Sequence, residues 1–169
     1  MMRILKSLFR KRNTVDEDGG VQKRLDLAAP KSIVSENIIA FDCVFSTVAI
    51  ADVISIEHGV YTFSAALKDG AVRGEYKMRT RLGTGEQFLF RASHSFMRNL
   101  QEIVRTYDFA KFNGEEYSVS GLPDMYGAKI HIVYASGESI YSSDNQSNFL
   151  PKEAMTELVK LFLMQKKSI

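Results

Sequence analysis

Asp69-Gly70 lies between two runs that alternate apolar and polar side chains, YTFSAALK before it and AVRGEYKM after it. A two-residue type I′ turn needs φ > 0 at both central positions, and Asp-Gly tolerates this. Placing the dipeptide at the tip of a hairpin sets the pairing. Leu67 faces Val72, Phe63 faces Tyr76 and Tyr61 faces Met78, while Ala66 meets Arg73, Ser64 meets Glu75 and Thr62 meets Lys77. One face is then apolar and the other polar, and a slip of one residue would destroy that sorting. Residues 60–80 are therefore predicted to form an antiparallel hairpin with one face in a core.

The same reasoning extends along the chain. Leu82-Gly83-Thr84-Gly85 reads as a second turn, followed by a strand over Glu86 to Arg91. A five-residue loop there predicts Phe88 opposite Met78 and Phe90 opposite Tyr76. Ser95 is a candidate cap for a helix running to about Tyr107, with Phe96, Leu100, Ile103, Val104 and Tyr107 as its buried stripe. Asn113-Gly114 marks a turn, and residues 115–126 read as a loop. Gly127 to Asn148 predicts two strands about Ser136-Gly137, with Ile132 opposite Ile140 and His131 opposite Tyr141, then a polar loop. Pro151 opens a final helix with Met155, Leu158, Val159, Leu161 and Phe162 on its apolar face. Residues 33–50 are rich in Ile and Val, and periodicity leaves both helix and strand open for them.

The chain has 169 residues, enough to bury a core without a disulfide or metal staple. The expected fold is α+β: an antiparallel sheet of about five or six strands, with two helices, roughly 95–107 and 151–166, packed on one face. A boundary is placed near Pro30 or Lys31. It divides a basic N-terminus and polar linker (1–30) from a single α+β domain (31–169). Residues 13–30, with Asp16-Glu17-Asp18-Gly19-Gly20, read as too polar to offset their ordering entropy.

Residues 1–12 carry Arg3, Lys6, Arg10, Lys11 and Arg12 with no acid, and Ile4, Leu5, Leu8 and Phe9 share one helical face. This pattern suits an anchor on an anionic membrane surface, or a helix docked on its own domain. The segment lacks the continuous apolar core of a secretory signal. The apolar stretch Ile38 to Ile56 contains Asp42 and Asp52, each costing about 2.5–3.5 kcal/mol near a bilayer centre, so it reads as buried structure instead.

Chemistry-bearing motifs fail one by one. Neither G-x-x-x-x-G-K-[ST] nor G-x-G-x-x-G occurs. Ser143-Asp144-Asn145 spells part of the serine β-lactamase set, but the Ser-x-x-Lys and Lys-Thr-Gly elements are missing. His58, His94 and His131 are far apart, and Cys43, the single cysteine, sits in an apolar run. The acidic loops lack EF-hand spacing. No catalytic, cofactor-binding or metal-ligating residue is assigned, and no cofactor is expected. A catalytic site assembled from His94, His131 and loop aspartates is the enzymatic alternative. The one suggestive pattern is basic: Arg73, Lys77, Arg79 and Arg81 fall on the polar side of one predicted strand. They form either an anion-binding face or a solvated surface. The net charge of +2 is too small to imply a nucleic-acid partner by itself.

The run Tyr107 to Gly114, the segment Gly127 to Ser143 and the terminal helix together resemble small uncharacterised bacterial α+β proteins that end in helix, Asn-Gly turn, β-hairpin and helix. The resemblance covers about residues 53–169. It implies a bacterial, cytoplasmic protein and carries no functional residue. The expected function is a non-catalytic protein-interaction or structural module, with residues 1–12 as its option for the membrane periphery. Anion or nucleic-acid binding through Arg73, Lys77, Arg79 and Arg81 is the alternative. Expected partners are another protein or an anionic membrane surface rather than nucleic acid, with homo-oligomerisation through an exposed strand edge a further option.

Overall fold

The elements along the chain are β1 (Asn13–Glu17), β2 (Val21–Leu25), β3 (Ile38–Ser46), β4 (Val60–Lys68), β5 (Ala71–Arg79) and β6 (Gly85–Ala92). Helix α1 (His94–Thr106), β7 (Glu115–Val119), β8 (Ala128–Tyr134), β9 (Ser139–Asp144) and α2 (Lys152–Leu163) follow. This is a computed structural model, and it describes residues 13–17, 20–50, 56–121 and 126–168. The basic segment 1–12, and with it the amphipathic-anchor expectation, lies outside the described residues.

Asp69 and Gly70 take φ of 51° and 75°, the left-handed values their turn requires. The register of β4 on β5 follows: Leu67 pairs with Val72, Phe63 with Tyr76 and Tyr61 with Met78. Residues 38–46, open between helix and strand, form β3 beside β4. Its β-branched and aromatic residues fit a half-buried pleat. The β8–β9 hairpin pairs Ile132 with Ile140 and His131 with Tyr141 as the alternation requires, with Gly137 at φ 87° in the turn.

The sheet differs from expectation in size and in direction. It has nine strands in the order β1-β2-β7-β9-β8-β3-β4-β5-β6, not five or six. It is mixed rather than purely antiparallel, because β7 runs parallel to β9. Segments read as loop or linker supply the extra strands: Asn13–Glu17 forms β1, Val21–Leu25 forms β2, and Glu115–Val119 forms β7. Their sequences are polar, so hydropathy hides them. Their backbones gain partners along an existing edge. The ladder of β7 on β9 ends at Tyr117 opposite Asp144. Beyond it the Asn145 amide stands in for a strand: its Oδ1 accepts from the Val119 N–H at 2.9 Å and its Nδ2 donates to the Val119 carbonyl at 3.1 Å.

The strand β6 is registered two residues away from expectation. Tyr76 faces Phe88, and Phe90 lies opposite Gly74. Gly74 explains the choice: a Cβ there would sit 2.3 Å from the Phe90 ring, so the ring fills space only glycine leaves open. Thr80 and Thr84 close the loop through their backbone (2.7 Å) and their hydroxyls (2.7 Å).

Both helices cover the face that carries Phe41, Phe63 and Phe90. The Phe162 ring of α2 lies 4.6 Å from Phe63, 5.1 Å from Phe96 of α1, 5.6 Å from Phe90 and 6.3 Å from Phe41, centroid to centroid. One side chain thus ties two helices to three strands. Cys43 is fully buried in this core, and burial, with the Asp42 charge beside it, raises its thiol far above the usual range. It is a packing residue, not a nucleophile.

The chain before β3 is held by two polar clasps. Asn113, 4% exposed, donates to the Pro30 and Ser139 carbonyls at 2.9 and 3.0 Å and accepts from the Tyr141 N–H at 2.9 Å. Glu138 accepts from the Val34 and Ser35 N–H groups, both at 3.0 Å, and from the Ser136 hydroxyl at 2.8 Å.

Candidate functional site

The face of the sheet opposite the helices carries the candidate residues. Strand alternation sends Arg73, Glu75, Lys77 and Arg79 of β5 to this side, because Val72, Tyr76 and Met78 go into the core. Arg81 is not on the strand. β5 ends at Arg79, and Arg81 falls in the exposed turn before β6. The basic strip is completed instead by Arg91 of β6, which lies directly opposite Arg73. Sequence reasoning missed this partnership because it placed β6 two residues out of register. The available signal was Gly74, a glycine inside a strand facing an aromatic.

Like charges directly opposed on an antiparallel pair are unfavourable. Arg73 is partly relieved by Asp69 at 3.5 Å, across the hairpin tip. Glu75, between Arg73 and Lys77, accepts a hydrogen bond from Gln87 Nε2 at 2.6 Å. Leu89, 69% exposed, stands on the same side opposite Glu75, so the strip has an apolar element at the sheet edge.

Across the sheet a polar row runs Tyr141, His131, Asp42, Ser64, Glu75 through successive register partners. His131 packs edge-on to Tyr141, centroids 6.0 Å apart, and the Lys129 ammonium lies 5.7 Å from the centre of the same ring. Two depressions adjoin Tyr141. One, of about 420 Å³, is bordered by Arg24, Asp26, Asn113 and Glu116. The other, of about 340 Å³, is bordered by Val44, Tyr117, Lys129 and Ser143. They offer an aromatic surface with charges of both signs around it.

The three histidines are not brought together. His131 is on this open face, His94 begins α1 on the other side, and His58 Nδ1 lies 2.9 Å from the Thr47 carbonyl beside the start of β4. Among the described residues no group of three His, Cys, Asp or Glu side chains is arranged to hold a metal ion. No helix among them is long and apolar enough to cross a membrane. Comparison with protein-family models, curated proteins and solved structures finds no match to the chain.

Proposed function

We propose that the protein is a non-catalytic interaction module whose open sheet face docks an acidic segment of another protein. The observation that carries this reading is the opposition of Arg73 and Arg91, with Lys77 and Arg79 on the same uncovered surface. An anionic side chain seated between two facing guanidinium groups converts a repulsion into two charge-assisted hydrogen bonds. Arg81, in the adjoining turn, extends the positive potential beyond the strand end. An acidic polypeptide is favoured over nucleic acid because the strip has no exposed ring on which a base could stack. The aromatic residues of β5 and β6, Tyr76, Phe88 and Phe90, belong to the core side.

Polyglutamate binding at low ionic strength is the direct test. Affinity should fall with added salt, and Arg73→Glu with Arg91→Glu should weaken it by about tenfold or more, roughly 1.4 kcal/mol. Equal binding by the double variant, or none by the parent protein, would remove the proposal. Duplex DNA bound in preference to polyglutamate would select the nucleic-acid alternative.

A bacterial cytoplasmic setting, with residues 1–12 adding a contact to an anionic membrane, is the second part of the proposal. Its support is the separation of Ile4, Leu5, Leu8 and Phe9 from five cations within twelve residues. In flotation with anionic vesicles, recovery should drop when residues 1–12 are removed. Equal recovery would discard the membrane contact.

A further inference from the structure

A cleft of about 470 Å³ lies on the helix side of the sheet, where the start of β4, the end of β5 and the start of β6 meet α2. It is separate from the arginine strip, which faces the other way. Tyr61, Met78, Val159 and Leu163 supply apolar wall. The volume lies within the range of small-molecule sites.

Tyr76 stands in the cleft wall, 3% exposed, stacked on Phe88 at 5.0 Å and set edge-on to Phe63 at 5.7 Å, so its ring is held. Its hydroxyl makes no hydrogen bond to another described residue and keeps contact with the solvent of the cleft, where a ligand can reach it. The neighbouring Tyr61 instead donates to the Glu57 carbonyl at 2.7 Å. Other polar groups of the cleft are occupied: Glu86 pairs with Lys166, and Thr80 with Thr84. Glu57 has a carboxylate with no partner among the described residues, and Lys160 lies on the α2 side.

Burial, with the charges of Glu86 and Glu57, pushes the Tyr76 phenol up to about 12. The hydroxyl is therefore neutral, and its oxygen can accept a hydrogen bond. Such an oxygen, in a cleft that the Glu57 carboxylate also lines, suits a cationic donor.

We propose that this cleft binds a primary amine with an apolar body. The ammonium lies between Tyr76 Oη and the Glu57 carboxylate, and the body lies along Met78, Val159 and Leu163. The amine can be a free small molecule or a lysine side chain of a peptide.

Titration with n-hexylamine, followed by backbone amide shifts, tests this against hexan-1-ol as the neutral control. Saturable shifts are expected at residues 78–86 and along α2, with the alcohol binding more weakly. Tyr76→Phe keeps the ring packing, and Glu57→Gln alters an exposed side chain. Each should weaken the amine by about tenfold, the scale of one charge-assisted hydrogen bond. Lys160→Gln should tighten it. A capped lysine peptide that binds more tightly than hexylamine identifies a peptide as the source, and weaker binding identifies a free amine. The proposal is overturned by hexanol binding as well as hexylamine, by affinity unchanged in both Tyr76→Phe and Glu57→Gln, or by no saturable shift. A carboxylate such as hexanoate binding in place of the amine would overturn it too, and Lys160→Gln would then weaken that binding.

Discussion

Both protons and the oxygen of the Asn113 amide are engaged across three chain segments: the chain before β3, the start of β9 and the turn between α1 and β7. Asn113→Ala would leave two carbonyls and an N–H without their partner in a buried setting. The expected cost is about 2–4 kcal/mol, readable by denaturant unfolding. Arg91 gives the opposite expectation. Arg91→Thr removes a like-charge opposition on the open face and should leave stability unchanged or raise it by up to about 1 kcal/mol, while polyglutamate affinity falls. A clear loss of stability would show that Arg91 serves the fold instead. Glu138 sets a pH dependence. The N–H groups of Val34 and Ser35, with the Ser136 hydroxyl, hold its carboxyl below the ordinary glutamate range despite a partial desolvation penalty. A depressed folded value means that the clasp contributes fully above the ordinary glutamate range and is lost as pH falls through the lower folded value. The Val34 and Ser35 amide shifts should move together in that acid window, and Glu138→Gln should abolish the movement.

At the scale of elements, α2 acts through Phe162. Its ring meets Phe41, Phe63, Phe90 and Phe96, so Phe162→Ala opens a cavity shared by β3, β4, β6 and α1. A loss of about 3–5 kcal/mol is expected, with α1 and α2 loosening together in hydrogen exchange. The elements themselves were largely legible. Turn chemistry at Asp69-Gly70 and Gly137, plus strict alternation, placed β4, β5, β8 and β9 in their observed pairings. The buried stripe of α1 gains Met97 over the expected set and loses Tyr107, which caps the helix end and is only half-buried. The register of β6 was not legible, because a loop closed by Thr80 and Thr84 and a ring seated over Gly74 are contacts between segments. Arg91 as the partner of Arg73 was hidden for that reason.

For the whole molecule, the polar N-terminal segment is part of the sheet rather than a tether. β2 pairs with β7 from Val21 opposite Val119 to Leu25 opposite Glu115, and β1 lies outside it. Removing residues 1–12 should leave the melting temperature unchanged. Removing 1–30 should lower it by at least about 2–4 °C, the equivalent of 1 kcal/mol, because it strips the β7 edge and the Pro30 clasp. A melting temperature indifferent to both truncations would mean that β1 and β2 add nothing to the fold. The amino-acid sequence by itself determined the local pairings, since side-chain period and turn dihedrals act between near neighbours. It also determined that α1 and α2 each bury one face. Tertiary structure alone decided the strand order, the parallel contact of β7 with β9, and the joining of Arg91 to the basic strip and of Tyr76 to the cleft. Those depend on which distant backbone edges meet, and many polar segments could satisfy the same unpaired N–H and C=O groups equally well.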